Sequence, residues 1–196
     1  MGEEKKPNTD DLEKGAGQKV DMKKEILSWV FYIAFVLVLT WVIITFVGQR
    51  TRVDGRSMMN TLHDGDNLIV EKLSYRFSDP KRFDIIVFPP TGKKEYYIKR
   101  IIGLPGETVQ IDENGNIYIN GELLEENYGA ETIQNPGRAA NPITLGEDEY
   151  FVMGDNRNNS KDSRSEEVGN VKRSQIIGRA WLRIWPLNKF GLLKHQ

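Results

Sequence analysis

Two histidines, His63 and His195, and no cysteine leave this chain few ways to do nucleophilic or metal chemistry. Zinc sites built on Cys or His clusters are excluded, and so are disulfides. A Ser-His-Asp arrangement fails on the same inventory: His195 is the penultimate residue, and His63 follows Ser57 by six positions and reads as a loop histidine. The carboxylates are scattered, and no pair is marked out for glycoside or metal work. What remains is a serine activated by a lysine.

Two segments offer that pair. In Asp54-Gly55-Arg56-Ser57-Met58-Met59-Asn60-Thr61-Leu62, Ser57 follows a glycine that lets another backbone approach closely. In Tyr96-Tyr97-Ile98-Lys99-Arg100-Ile101-Ile102, strand periodicity puts Tyr97, Lys99 and Ile101 on one face and Ile98, Arg100 and Ile102 on the other. A lysine held between an aromatic and an aliphatic neighbour loses solvent, which lowers its pKa toward the range of a general base. The alternatives are a turn serine and an edge-strand lysine with its head in water.

The elements that must position these residues follow from the hydropathy pattern. The 196 residues have a mean hydropathy of −0.49 and a formal net charge of −1. That average hides an uncharged run, ILSWVFYIAFVLVLTWVIITFV, over 26–47. As a helix it spans about 33 Å, against a hydrocarbon core of about 30 Å. It is longer than the apolar region of a cleavable leader and lacks a small-x-small exit. We read it as one transmembrane helix preceded by a polar, disordered tail over 1–25. Lys14, Lys19, Lys23 and Lys24 before it, against Arg50, Arg52 and Arg56 after it, favour a cytoplasmic N-terminus. The even charge balance of the remainder argues against a nucleic-acid partner.

Residues 48–196 read as β. Short apolar or alternating runs at 68–70, 84–88, 96–102, 108–111, 116–119, 150–153 and 175–185 are separated by turn signals. Asp112-Glu113-Asn114-Gly115 is a hairpin signature. Residues 122–148 are irregular and read as a loop-rich insertion. The fold class is mainly β, a partly open antiparallel barrel or sheet behind one N-terminal helix.

Taken together the segments resemble bacterial type I signal peptidase, in its short single-anchor form. Gly55 to Leu62 resembles the nucleophile box G-x-S-M-x-P-T-L. Arg82 to Phe88 is similar to the family's R-G/F-D-I/V-V-V-F strand, and Tyr97 to Glu107 to its lysine box. Gly154-Asp155-Asn156-Arg157-Asn158-Asn159-Ser160-Lys161-Asp162-Ser163-Arg164 resembles G-D-N-R-D/N-N-S-x-D-S-R, the most specific of the four. Gly178-Arg179-Ala180 and Trp185-Pro186-Leu187 match further positions.

The resemblance implies a Ser57 nucleophile, a Lys99 general base, Ser160 hydrogen-bonded to the lysine nitrogen, and Asp155, Asp162 and Arg164 as a supporting network. It implies a substrate pocket formed by Val53, Gly55, Met58, Leu62, Tyr97 and Ile98, with the peptide added as a strand beside 52–57 and 84–88. Removal of signal peptides from exported pre-proteins, after small residues at −1 and −3, would be the activity. It needs no cofactor and no metal. The site would lie on the extracytoplasmic face of the cell membrane, in contact with lipid and next to the translocation machinery. A catalytically silent, membrane-tethered peptide-binding domain of the same fold is the alternative. Two departures stand out. Gly55 replaces a serine that aids the oxyanion in some members, so backbone N–H groups must supply that help. Asn60 replaces the usual proline, and the expectation is that a proline would be accepted there.

Overall fold

The computed structural model describes residues 2, 22–43, 48–92 and 95–193. Most of the expected tail over 1–25, positions 44–47 of the expected helix, and His195 lie outside the described residues. The chain divides into two units, Met1–Trp41 and Val42–Gln196.

The first unit holds α1, Met22–Val42, but for its last residue. None of its side chains is buried, although they include Trp29, Phe31, Phe35, Leu37 and Trp41. In water so apolar a surface would be strongly unfavourable. By length and composition it is the one described helix able to cross a membrane.

The described residues of the second unit form twelve strands, all paired antiparallel. They are β1 Gly48–Arg52, β2 Asn67–Glu71, β3 Ile85–Phe88, β4 Tyr97–Gly103, β5 Thr108–Ile111, β6 Ile117–Ile119, β7 Glu122–Leu123, β8 Ile143–Thr144, β9 Glu149–Met153, β10 Val171–Lys172, β11 Gly178–Trp185 and β12 Gly191–Leu192. Eight strands form one curled, open half-barrel in the order β1-β2-β11-β3-β4-β9-β10, with β12 on β11. Its end strands, β1 and β10, do not pair, so the barrel stays open. Register shifts in β11, between Ala180 and Leu182 and between Arg183 and Trp185, fit the local bending that bulges impose.

Alternation explains why β3 holds the centre. Ile85 and Val87 enter one core cluster with Val53, Met58, Leu62 and Leu68, while Ile86 and Phe88 enter a second with Ile101, Tyr150 and Val152. Both faces of the strand are therefore dry. The smaller sheet, ordered β7-β6-β5-β8, starts from the Asn114-Gly115 hairpin, with Val109 opposite Ile119 and Ile111 opposite Ile117. It shares a third cluster with Ile102, Phe151 and Met153 of the large sheet. Residues 122–148 contribute β7, β8 and a single 3-10 turn, and bury Ile133, Ala139 and Leu145 in that cluster.

Candidate active site

The turn after β1 carries Ser57. Gly55 sits at φ +92°, a conformation that L side chains rarely adopt. Its N–H donates to Asp64 Oδ1 at 3.0 Å. Past Ser57 the chain tightens into a helical turn, Met59 N–H donating to Arg56 O and Leu62 N–H to Met58 O. Met58 and Leu62 are thereby fixed inward, and both are buried.

Lys99 comes from β4 on the neighbouring side. Its Nζ donates to Ser57 Oγ at 2.7 Å and to Ile98 O at 3.1 Å, and lies 5.2 Å from the centre of the Tyr97 ring. Only 4% of the residue is exposed. Burial pushes its pKa down to about 8, against the opposing pull of the Asp162 and Asp155 carboxylates. Lys99 forms no ion pair among the described residues. A nucleophilic hydroxyl and a desolvated amine in hydrogen-bond contact can exchange a proton.

The next residue, Arg100, is wholly buried and points elsewhere. Its Nε and Nη2 reach Asp155 Oδ1 and Oδ2 at 2.9 and 2.7 Å, a bidentate pair. Nη1 donates to Phe83 O, and the Tyr128 ring covers the guanidinium at 3.6 Å. Asp155 also accepts the Thr61 hydroxyl at 2.5 Å, which links this buried pair to the turn that carries Ser57.

The segment 154–164 closes over the same turn. Asn156 N–H donates to Ser57 O at 3.0 Å, and Asn156 Nδ2 donates to Arg56 O at 3.1 Å. Gly154 permits this approach, because a Cβ there would overlap Ser57 O and Ser160 Oγ. Asp162 accepts from Gly154 N–H at 3.0 Å and from Arg164 Nε and Nη2, each at 2.9 Å. Arg164 Nη2 donates in turn to Arg157 O. Asp155, Asp162 and Arg164 thus brace the loop and do not touch the Ser57 hydroxyl.

Three expectations need correction. Ser160 Oγ is buried without a hydrogen-bond partner, packed against Gly154, so the expected bond to the lysine nitrogen is not formed. Leu62 is 0% exposed and lies in the core, outside the lining of the cleft. The strand at 84–88 cannot take a peptide, because β3 already pairs with β4 on one side and β11 on the other. The open cleft, about 500 Å³, runs instead between residues 51–58 and 95–99. Val53, Gly55, Met58, Tyr97 and Ile98 line it with Ser57 and Lys99, and Asn159 and Lys161 lie at its border.

The sequence left Thr61, Arg100, Tyr128 and Asn156 unassigned. Arg100 carried one usable signal: an arginine on an apolar strand face needs a buried carboxylate, and Asp155 stands in the polar run 154–164.

Comparison with known proteins agrees with this architecture. The sequence matches the family described as signal peptidase, peptidase S26, over residues 26–185. It is 44% identical over 155 residues to a probable signal peptidase I-2 of Synechocystis sp., covering 76% of this chain and 68% of that one. It is 44% identical over 197 residues to a signal peptidase I of Leptolyngbya laminosa, covering 95% and 93%. A signal peptidase I of Bacillus amyloliquefaciens is 38% identical over 188 residues, covering 92% of this chain and all of the other. A match spanning the apolar helix, the Ser57 turn, the Lys99 strand and the 154–164 loop places the chain in one family: it belongs to the signal peptidases of peptidase family S26.

Proposed function

We propose that this protein is a membrane-anchored serine endopeptidase that removes signal peptides from exported pre-proteins, with Ser57 as nucleophile and Lys99 as general base. The observation that carries the reading is the 2.7 Å contact between Lys99 Nζ and Ser57 Oγ at a buried amine whose pKa is about 8. In its free-amine form Lys99 takes the Ser57 proton as Oγ attacks the scissile carbonyl. The negative charge that develops on that oxygen meets the Ser57 backbone N–H. Lys99 then protonates the leaving amine. A water that Lys99 deprotonates next hydrolyses the acyl-serine and frees the enzyme.

Substrate choice follows from the cleft. Val53, Met58 and Ile98 are buried beneath it and Tyr97 flanks it, so the room beside Ser57 is walled by fixed apolar side chains. A small residue at −1 fits there, and a large one clashes. The peptide lies extended in the cleft between 51–57 and 95–99. We assign 1–25 as a cytoplasmic tail, 26–47 as the membrane anchor and 48–196 as the peptidase domain on the extracytoplasmic face. A site whose sequence begins ten residues past the anchor meets pre-proteins at the membrane surface, beside the machinery that delivers them.

The test is a pair of variants, Ser57→Ala and Lys99→Ala, assayed as full-length protein in detergent with a pre-protein substrate. Both should lose cleavage while remaining folded by circular dichroism. Full cleavage by either one overturns the dyad. Binding of the pre-protein by the wild type without any cleavage would instead favour a silent peptide-binding domain. External protease added to intact cells should digest residues beyond 48; protection of that part would overturn the orientation.

A further inference from the structure

Asn156 grips the peptide groups on both sides of the Ser57 Cα. Its Nδ2 donates to Arg56 O at 3.1 Å, and its backbone N–H donates to Ser57 O at 3.0 Å. The contact spans 100 residues of sequence. Arg56 C=O and Ser57 N–H belong to one planar trans peptide unit and point in opposite directions. Whatever fixes the oxygen of that unit therefore fixes the direction of its N–H. The Ser57 N–H itself makes no hydrogen bond among the described residues. As the amide of the proposed nucleophile itself, it is the candidate donor to the oxygen of a carbonyl that Ser57 Oγ attacks. Gly55 brings no hydroxyl to share the task.

We infer that Asn156 is a positioning residue that sets the oxyanion-binding amide of Ser57 by holding the opposite end of the same peptide group. This rests on the assignment of Ser57 as nucleophile and extends it. A lone donor is effective only if its direction is fixed before the charge develops. Arg56 O also accepts from Met59 N–H at 3.2 Å, a bond within the turn itself. The turn therefore supplies one restraint, and Asn156 adds a second from a distant segment. Donation into the carbonyl also polarises the peptide group and strengthens its N–H as a donor. Asn156 is only partly buried and lies outside the apolar clusters, so its amide can be changed without opening the core.

The experiment compares wild type with Asn156→Ala and the near-isosteric Asn156→Asp, as full-length protein in detergent. Two peptides with small residues at −1 and −3 serve as substrates, one with an ordinary scissile amide and one with a thioamide there. Sulfur accepts hydrogen bonds weakly, so the ratio of the two rates reports on the oxyanion donor. Both variants should keep the unfolding midpoint within a few degrees, lose about 10- to 100-fold in kcat with little change in KM, and discriminate less against the thioamide. In Asn156→Ala, which adds no charge, the rise of kcat/KM with pH near 8 should stay where it is, because Lys99 is untouched. An unchanged kcat or an unchanged thioamide ratio in both variants overturns the inference, as does a shifted pH limb in Asn156→Ala, which would place the action on Lys99. Cleavage retained by Ser57→Ala would sink the nucleophile assignment itself. Inactive Ser57→Ala beside fully active Asn156 variants would sink this inference alone.

Discussion

Lys99 and Arg100 are adjacent in β4 and both buried, yet among the described residues Arg100 pairs with a carboxylate and Lys99 does not. The alternation of the strand separates them. Arg100 meets Asp155 in a bidentate pair, whereas Lys99 meets a hydroxyl and a carbonyl. One cation is neutralised and structural. The other is left desolvated, so its proton is held loosely.

That difference sets the pH dependence of the proposed reaction. Only the free amine can accept the Ser57 proton, and burial brings the Lys99 pKa down to about 8. Cleavage should rise with pH and reach half its plateau near that value. A kcat/KM profile between pH 6 and 10 checks this. A half-point near 10.5 would mean that Lys99 titrates as an ordinary solvated lysine.

The same buried amine opposes folding. Below pH 8 it is protonated in both states, and the folded state bears the desolvation penalty. Between about 8 and 10.5 the unfolded chain still holds a proton that the folded one has released, so stability rises with pH across that window. The total is about 3 kcal/mol, from about 1.36 kcal/mol per pKa unit. Lys99→Met should therefore be inactive, more stable than wild type at pH 7, and free of this rise. Urea unfolding at pH 7 and pH 10 measures both effects.

Asn60→Pro should harm the protein, contrary to the expectation from sequence. Asn60 sits at φ +43°, in the left-handed region, and proline is locked near −65°. The turn that holds Ser57 would have to refold locally, at a cost on the order of 1–3 kcal/mol with a loss of cleavage. Asn60→Gly accepts the positive φ and should keep most of the activity. Thermal unfolding and peptide cleavage of the two variants distinguish these outcomes.

Asp155→Ala removes the carboxylate bound to the fully buried Arg100 guanidinium and frees the Thr61 hydroxyl. Leaving that charge unpaired should cost about 3–5 kcal/mol. Cleavage should fall with it, because Thr61 stands four residues after Ser57 in the same turn. Arg100→Met with Asp155→Leu removes both charges and should recover part of the stability. The double-variant cycle, read by urea unfolding, isolates the pair.

Much of the fold was legible where a residue's surroundings repeat along the chain. The hairpin of β5 and β6 follows from Asn114-Gly115 and the alternation of Val109, Ile111, Ile117 and Ile119. β3 and β4 follow from their apolar runs. β1 was not legible: Gly48-Gln49-Arg50-Thr51-Arg52 has no apolar periodicity, and it is a strand because the edge of β2 is available to it. β7, β8, β10 and β12 pair over two residues each, too few to leave a pattern. Ser57 and Lys99 were legible by elimination and by resemblance. Asn156 was not, because its role depends on which carbonyls stand opposite it, and a polar residue in a turn carries no mark of that.

The order of synthesis adds a last consequence. Ser57 and Lys99 emerge early and lie 42 residues apart, but the hydrogen bonds that brace their turn reach forward 94 residues to Asp155 and 100 to Asn156. A nascent chain halted before 154 carries Ser57 and Lys99 without the loop that braces the Ser57 turn. Closing so long a loop is slow, so it comes late in folding. Assembly of the proposed cutting machinery in this way waits for synthesis to pass residue 156, and a ribosome-bound or truncated fragment that stops before it is a blunt tool.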